Sequence, residues 1–274
     1  MKCVYHPSYQ VALPPGHPFP MSKYSLLRDQ LLAEGIVATG DILQPEALDA
    51  STLALVHTPE YLAKLAASGL SAAEQRRLGL PWSEALWQRS RLASAGTLLA
   101  ARTALDQGLA ANLAGGTHHA FADHGERNYP VAKMRSNLDV PLKDGVGDAE
   151  YLDTLQRVLP SVLDRARADL VFYLAGVDVA AGDRYGKLAL TEEGIRRRDR
   201  CVIEAVRGRG LPLVIVLAGG YAATRARTAE LHAHAFRESV SYERSGAAPR
   251  SESPAVDRGR PATTAARSSE TEGP

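Results

Sequence analysis

Cysteine is nearly absent from this chain: Cys3 and Cys201 are the only two in 274 residues. Two thiols cannot build a disulfide framework, so a reducing compartment, the cytoplasm, is the expected setting. Long apolar runs are missing too. None approaches the roughly 20 residues that span a bilayer, and no apolar segment follows Lys2 as a secretory leader would require. An excess of one charge is also missing, since 32 Lys and Arg face 31 Asp and Glu and leave a formal charge of +1. No overall field draws the chain to nucleic acid or to a membrane surface. What remains is an ordinary globular composition, 45% hydrophobic and 23% charged. It is long enough for one large α/β domain or two small ones.

Lys2 to His6 reads as a short first strand stopped by Pro7. Pro14, Pro15, Gly16, Pro18 and Pro20 make residues 11–21 a loop. Ser22 is placed to cap a helix from Lys23 to about Glu34, with Leu26, Leu27, Leu31 and Leu32 on one face and Gly35 ending it. Leu53-Ala54-Leu55-Val56-His57 is a candidate buried strand. Thr58, Pro59 and Glu60 then open a helix to about Ala67. Residues 83–107 predict a long buried helix on the spacing of Leu86, Ala93, Leu98, Ala101 and Leu105. Leu109 to Leu113 follows, and residues 121–147 carry little regular signal. Asp148 is placed to cap a helix whose stripe is Leu152, Leu155, Val158, Leu159, Val162 and Leu163.

Asp169 to Gly176 and Pro212 to Ala218 are continuous apolar strands, the pattern of a parallel sheet buried on both faces. A helix from Thr191 to about Arg207 separates them, and another follows to about Phe236. Strand–helix alternation of this kind predicts an α/β fold with a parallel sheet. From Ser245 onward the chain is Ser, Ala, Pro, Gly, Thr and balanced charge, so a disordered tail is expected over about 241–274, after one domain over 1–240.

Active sites in open parallel sheets collect at the carboxyl ends of the strands. Three segments end there in glycine-rich or polar turns: Gly115-Gly116-Thr117-His118-His119, Ala175-Gly176-Val177-Asp178 with Gly182-Asp183-Arg184, and Ala218-Gly219-Gly220-Tyr221. They supply two potential bases, a carboxylate and a phenol. That inventory suits metal-assisted hydrolysis: a carboxylate holds a cation, a histidine takes a proton from water, and a tyrosine hydroxyl stabilises the oxyanion. Each residue also has a plainer reading. Asp178 could be a turn former, Tyr221 a packed first-turn aromatic, and His124 an exposed loop residue. Arg196-Arg197-Arg198 reads as a solvated helix face.

Taken together, these segments resemble the histone deacetylase superfamily and its arginase/deacetylase fold, nearest to bacterial, class IV-like members. The resemblance takes in Tyr5-His6-Pro7, Gly16-His17-Pro18-Phe19-Pro20-Met21-Ser22-Lys23-Tyr24 and Val56-His57-Thr58-Pro59-Glu60-Tyr61-Leu62. It continues through Gly115 to Ala120, His124-Gly125-Glu126-Arg127-Asn128-Tyr129-Pro130, Ala175 to Asp178, Gly182 to Arg184 and Gly219 to Tyr221. It implies a three-layer αβα domain that hydrolyses acetyl-amide bonds with a divalent metal, usually zinc. The substrate it implies is acetyl-lysine or a small acetylated amine such as a polyamine. It makes His118 and His119 the general acid/base pair, Asp178 a metal ligand, Tyr221 the oxyanion donor and His17 to Tyr24 part of the pocket rim.

One departure from the family pattern stands out. The family carries, between the tandem histidines and Asn-Tyr-Pro, a Gly-Phe-Cys-type motif and a strand ending in Asp-x-Asp-x-His that supplies two of three metal ligands. Here Asp123 runs straight into His124 to Pro130, and Asp-x-His occurs nowhere. The expectation is an internal deletion near residues 124–127 that removes a central strand–helix–strand unit of roughly 30 residues or more. Lost or severely impaired activity follows, because a catalytic zinc site needs about three protein ligands. The alternatives are a non-catalytic pseudoenzyme kept for interaction and a truncated product without function. The sheet should either be destabilised by exposed strand edges or have closed over the gap.

Overall fold

The computed structural model describes residues 1–115 and 138–246. Within them lie strands β1 (Lys2–Val4), β2 (Ile42–Leu43), β3 (Leu109–Gly115), β4 (Val171–Ala175) and β5 (Leu213–Leu217). The helices are α1 (Lys23–Ala33), α2 (Ala50–Leu53), α3 (Pro59–Ala66), α4 (Ala72–Leu78), α5 (Glu84–Gln107), α6 (Asp148–Ala166), α7 (Glu192–Arg207) and α8 (Arg225–Arg244). The strands are all parallel, in the order β2-β1-β3-β5-β4.

Alternation along a strand sorts the core into two layers. Leu213, Ile215 and Leu217 of β5 join the cluster formed with Leu27 and Leu31 of α1, Ile203 of α7 and Phe236 of α8. Val214 and Val216 join Ala100, Ala101 and Ala104 of α5 on the opposite face. The result is the expected three-layer αβα arrangement. No helix among the described residues is long and apolar enough to cross a membrane.

The described sheet has no break, since every neighbouring pair of strands is hydrogen-bonded. Strand β4 stands at its edge. The expected burial of β4 on both faces does not hold, for Phe172 is 44% exposed. The reason is that α5 lies over β1, β3 and β5 and stops short of Phe172.

Several local expectations need correction. Leu53 to His57 is not a strand: the Asp49 carboxylate accepts from the Thr52 amide and starts α2, and the chain leaves Leu55 and Val56 exposed. Ser22 has helical backbone angles and makes no capping bond. Thr58 and Thr191 do cap, each accepting an amide three residues on. Asp148 does not cap α6. Its carboxylate instead accepts from the Thr191 amide and hydroxyl, tying α6 to the start of α7. On α5, Leu98 and Leu105 are exposed and the small residues Ala100 and Ala104 face the sheet, which brings helix and sheet close. Helix α8 runs eight residues beyond Phe236 with Val240 buried, so the folded unit passes the expected limit at 240.

The arginine run of α7 is not a uniformly solvated face. Arg198 is buried, bonded to the Gly176 carbonyl and to Asp199 at 2.7 Å. Arg196 and Arg200 both reach the buried Glu238 of α8, at 3.2 and 2.8 Å. These charges pin α7 to β4 and to α8.

Candidate active site at the carboxyl ends of the strands

The carboxyl ends of β4 and β5 bring Asp178 and Tyr221 into one region, as their sequence positions imply. The Val177 amide donates to the Gly219 carbonyl at 2.8 Å, stitching the two strand-end turns together. Both turns need glycine. A Cβ on Gly219 would lie 1.9 Å from the Asp178 carboxylate, and one on Gly176 would lie 2.9 Å from it. Gly220, at φ +148°, occupies backbone space that side chains avoid. His118 and His119, on the turn that follows β3, lie outside the described residues, as does His124.

Asp183 shapes the rest. One of its carboxylate oxygens accepts the amides of Tyr185 and Gly186, at 2.9 and 2.8 Å. The other accepts the Tyr221 amide at 2.6 Å. The Arg184 amide in turn donates to the Tyr221 carbonyl at 3.1 Å. Tyr221 is therefore held from both sides of its backbone. Its ring meets Tyr185 edge-on at 4.8 Å and Phe19 at 6.3 Å. Burial, with neighbouring phenols and carboxylates, raises the Tyr221 phenol above its usual pKa and keeps it a protonated hydrogen-bond donor.

Sequence reasoning places Lys23 in the His17–Tyr24 rim but misses its burial. The residue reads as an ordinary first-turn lysine, yet it is 3% exposed. Its ammonium donates to the Ala218 carbonyl at 2.8 Å, one residue before the glycine that packs on Asp178. Burial lowers its pKa to about 8, partly offset by the charges of Asp178 and Asp183. Asp178 is raised above the usual carboxylate range by burial and by Asp183, while Lys23 and Arg198 pull it back.

The described residues do not fit a catalytic zinc. One carboxylate, Asp178, is available, and the nearest second one, Asp183, spends both oxygens on backbone amides. The buried Lys23 ammonium acts on the Asp178 carboxylate, and cations repel one another. Among the described residues no three His, Cys, Asp or Glu side chains group as a metal site.

Beneath the same turns lies His232 of α8, 1% exposed. Its Nδ1 sits 3.1 Å from the Ala175 carbonyl, so the neutral ring carries its proton there and leaves Nε2 without a hydrogen-bond partner among the described residues. Burial, then the charges of Lys23 and Arg198, pushes its pKa well below 6.5. The unfolded chain protonates this histidine below about 6.5 and the folded chain does not. Stability is therefore expected to fall as pH drops below that value, by up to about 1.4 kcal/mol per pH unit for this one proton. Urea unfolding from pH 7 to 5 checks this. His232→Gln should flatten the slope by about one proton, and an unchanged slope would count against a neutral buried ring.

With the geometry in place, comparisons with known proteins give the family. Residues 17–127 and 123–236 match the histone deacetylase domain. The chain belongs to the histone deacetylase family. An uncharacterized protein of Picosynechococcus is 37% identical across 80% of this chain and 91% of its own length. Histone deacetylase 2 of Arabidopsis thaliana is 26% identical across 82% of this chain and 75% of its own. The crystal structure of the HDA15 HD domain has the same fold, with a TM-score of 0.67 over 87% of each chain at 16% identity.

Two details of these matches concern the expected deletion. The two matched segments share residues 123–127, Asp123-His124-Gly125-Glu126-Arg127. The alignment with the Picosynechococcus protein is 274 positions long but takes in 80% of this chain's 274 residues, so about a fifth of its positions are filled by the relative alone.

Proposed function

We propose that this chain is a deacetylase-family protein that has lost its metal centre through an internal deletion at residues 123–127, and with it nearly all acetyl-amide hydrolysis. The observation that carries this reading is the absence of Asp-x-His from the sequence, which leaves Asp178 as the one family ligand. A metal held by one carboxylate binds weakly and does not set the pKa of its water. The buried Lys23 near Asp178 supports the reading, because it supplies positive charge to a half-buried carboxylate. The place of β4 at the edge of the sheet among the described residues, and the exposed Phe172, suit a sheet from which neighbouring elements have gone.

By ancestry the substrate is acetyl-lysine or a small acetylated amine, with His118 and His119 as the acid/base pair, Tyr221 as the oxyanion donor and zinc as the metal. In this chain those residue types remain in the sequence without the metal ligands that the family's chemistry needs. The setting is the cytoplasm, with no nucleic acid or membrane as partner. A folded, non-catalytic protein is favoured over a defective remnant, because the described core is continuous from α1 through β5 to α8.

The test is hydrolysis of an acetyl-lysine substrate by the purified chain with added Zn²⁺. The expected rate is that of the buffer control, the same for the wild type and for Tyr221→Phe. Metal-dependent turnover that Tyr221→Phe abolishes would overturn the proposal.

A further inference from the structure

His234 is the second buried histidine of α8, and its partners fix which nitrogen carries the proton. Nδ1 lies 3.2 Å from a guanidinium nitrogen of Arg237, three residues on. A guanidinium only donates, so Nδ1 accepts and is bare. The proton of the neutral ring is then on Nε2, which donates to the Glu192 carboxylate of α7 at 2.8 Å.

Each partner leads to another helix. Arg237 pairs with Glu34, which caps the end of α1, through two nitrogens, one at 2.8 Å. The second oxygen of Glu192 pairs with Arg227 in the first turn of α8. The ring therefore stands midway along a run of contacts from α1, through α8, to α7. The charged groups around it are Glu34 from α1, Glu192 and Asp199 from α7, and Arg227, Glu230, Arg237 and Glu238 from α8. Two of these acids are already engaged, Asp199 by Arg198 and Glu238 by Arg196 and Arg200.

A proton added to this ring goes to Nδ1. There it turns an acceptor into a donor and sets a second positive charge against the Arg237 guanidinium. The bond from Nε2 to Glu192 survives and gains a full charge. The two helix seams thus respond in opposite senses.

We infer that His234 is an acid-responsive latch. Neutral, it fastens α1 to α8 through Arg237 and Glu34; protonated, it loosens that seam and holds α7 alone through Glu192. Burial lowers the pKa of the ring, the Glu192 bond raises it in part and Arg237 lowers it again. The latch is therefore closed above the ordinary value of about 6.5 and is lost as pH falls below it. It requires neither the metal centre nor hydrolysis.

Amide hydrogen exchange of the full chain at pH 7.5 and pH 5, corrected for intrinsic rates, tests this. The amides of Glu34, Gly35, Ile36 and Val37, all bonded back to α1, report on the first seam. Those of Gly194 and Ile195, bonded to Thr191, report on the start of α7. Protection at 34–37 is expected to fall by about fivefold or more at the lower pH, while Gly194 and Ile195 keep theirs. His234→Gln offers Arg237 an acceptor and Glu192 a donor at both pH values, so it should abolish the response. His232→Gln should retain it. If His234→Gln does not fold, Glu192→Gln decides: it removes the carboxylate that favours the protonated ring and should move the release to lower pH. Protection at 34–37 that ignores pH, a response that persists in His234→Gln or does not move in Glu192→Gln, or an equal loss at Gly194 and Ile195 would overturn the inference.

Discussion

Arg198→Met is expected to destabilise the chain by about 3–5 kcal/mol, the cost of breaking a buried ion pair from one side. Arg198 is 4% exposed and Asp199 fully buried. The pair meets at 2.7 Å, and Tyr173 donates to the same carboxylate oxygen at 2.5 Å. The second oxygen of Asp199 has no hydrogen-bond partner among the described residues, so none of them stands ready to compensate when the guanidinium goes. Arg198 also holds the Gly176 carbonyl, two residues before Asp178. A melting midpoint lowered by about 10 °C is expected for a chain of this size. Adding Asp199→Asn should restore at least half of the loss, because it removes the stranded charge. A loss below about 1 kcal/mol would mean that the pair is hydrated in solution rather than buried.

Restoring the absent segment has the other large expected effect. On the deletion proposal, the family segment between the tandem histidines and Asn-Tyr-Pro is inserted within residues 123–127. On the same proposal it brings the Asp-x-His ligands back to the edge of β4. Zinc content is expected to rise to about one per chain, with a catalytic site of about three protein ligands and a water. Acetyl-lysine hydrolysis should appear, be lost on chelation, and fall by about 10²–10³ on Tyr221→Phe, the cost of removing one oxyanion donor. Circular dichroism confirms that the insertion variant folds. A folded variant that binds no zinc would place the defect elsewhere, with Lys23 the first residue to substitute.

Most of the fold is legible in the sequence because its elements are marked locally. The strands of the sheet centre are continuous apolar runs, and Thr58 and Thr191 stand directly before helices that they cap. The failures share a cause. Leu53 to His57 is a short apolar run, which periodicity alone assigns to neither class; the deciding signal is Asp49, four residues upstream. Arg198 looks no different from Arg196 and Arg197 in sequence. Only the packing of α7 against β4 turns it inward. Within the site, Asp178 and Tyr221 are legible because glycines that admit close approach precede both. Lys23 and His232 are not, since a lysine opening a helix and a histidine within one carry no mark of burial.

Zinc content is the most direct measure of whether the metal centre is gone. The chain is purified, loaded with excess Zn²⁺, dialysed against zinc-free buffer and analysed for metal by mass spectrometry. Lost ligands predict less than about 0.1 zinc per chain, unchanged by Asp178→Asn, since one carboxylate does not retain the ion through dialysis. Retention of about one zinc per chain, lost on Asp178→Asn, would contradict the proposal.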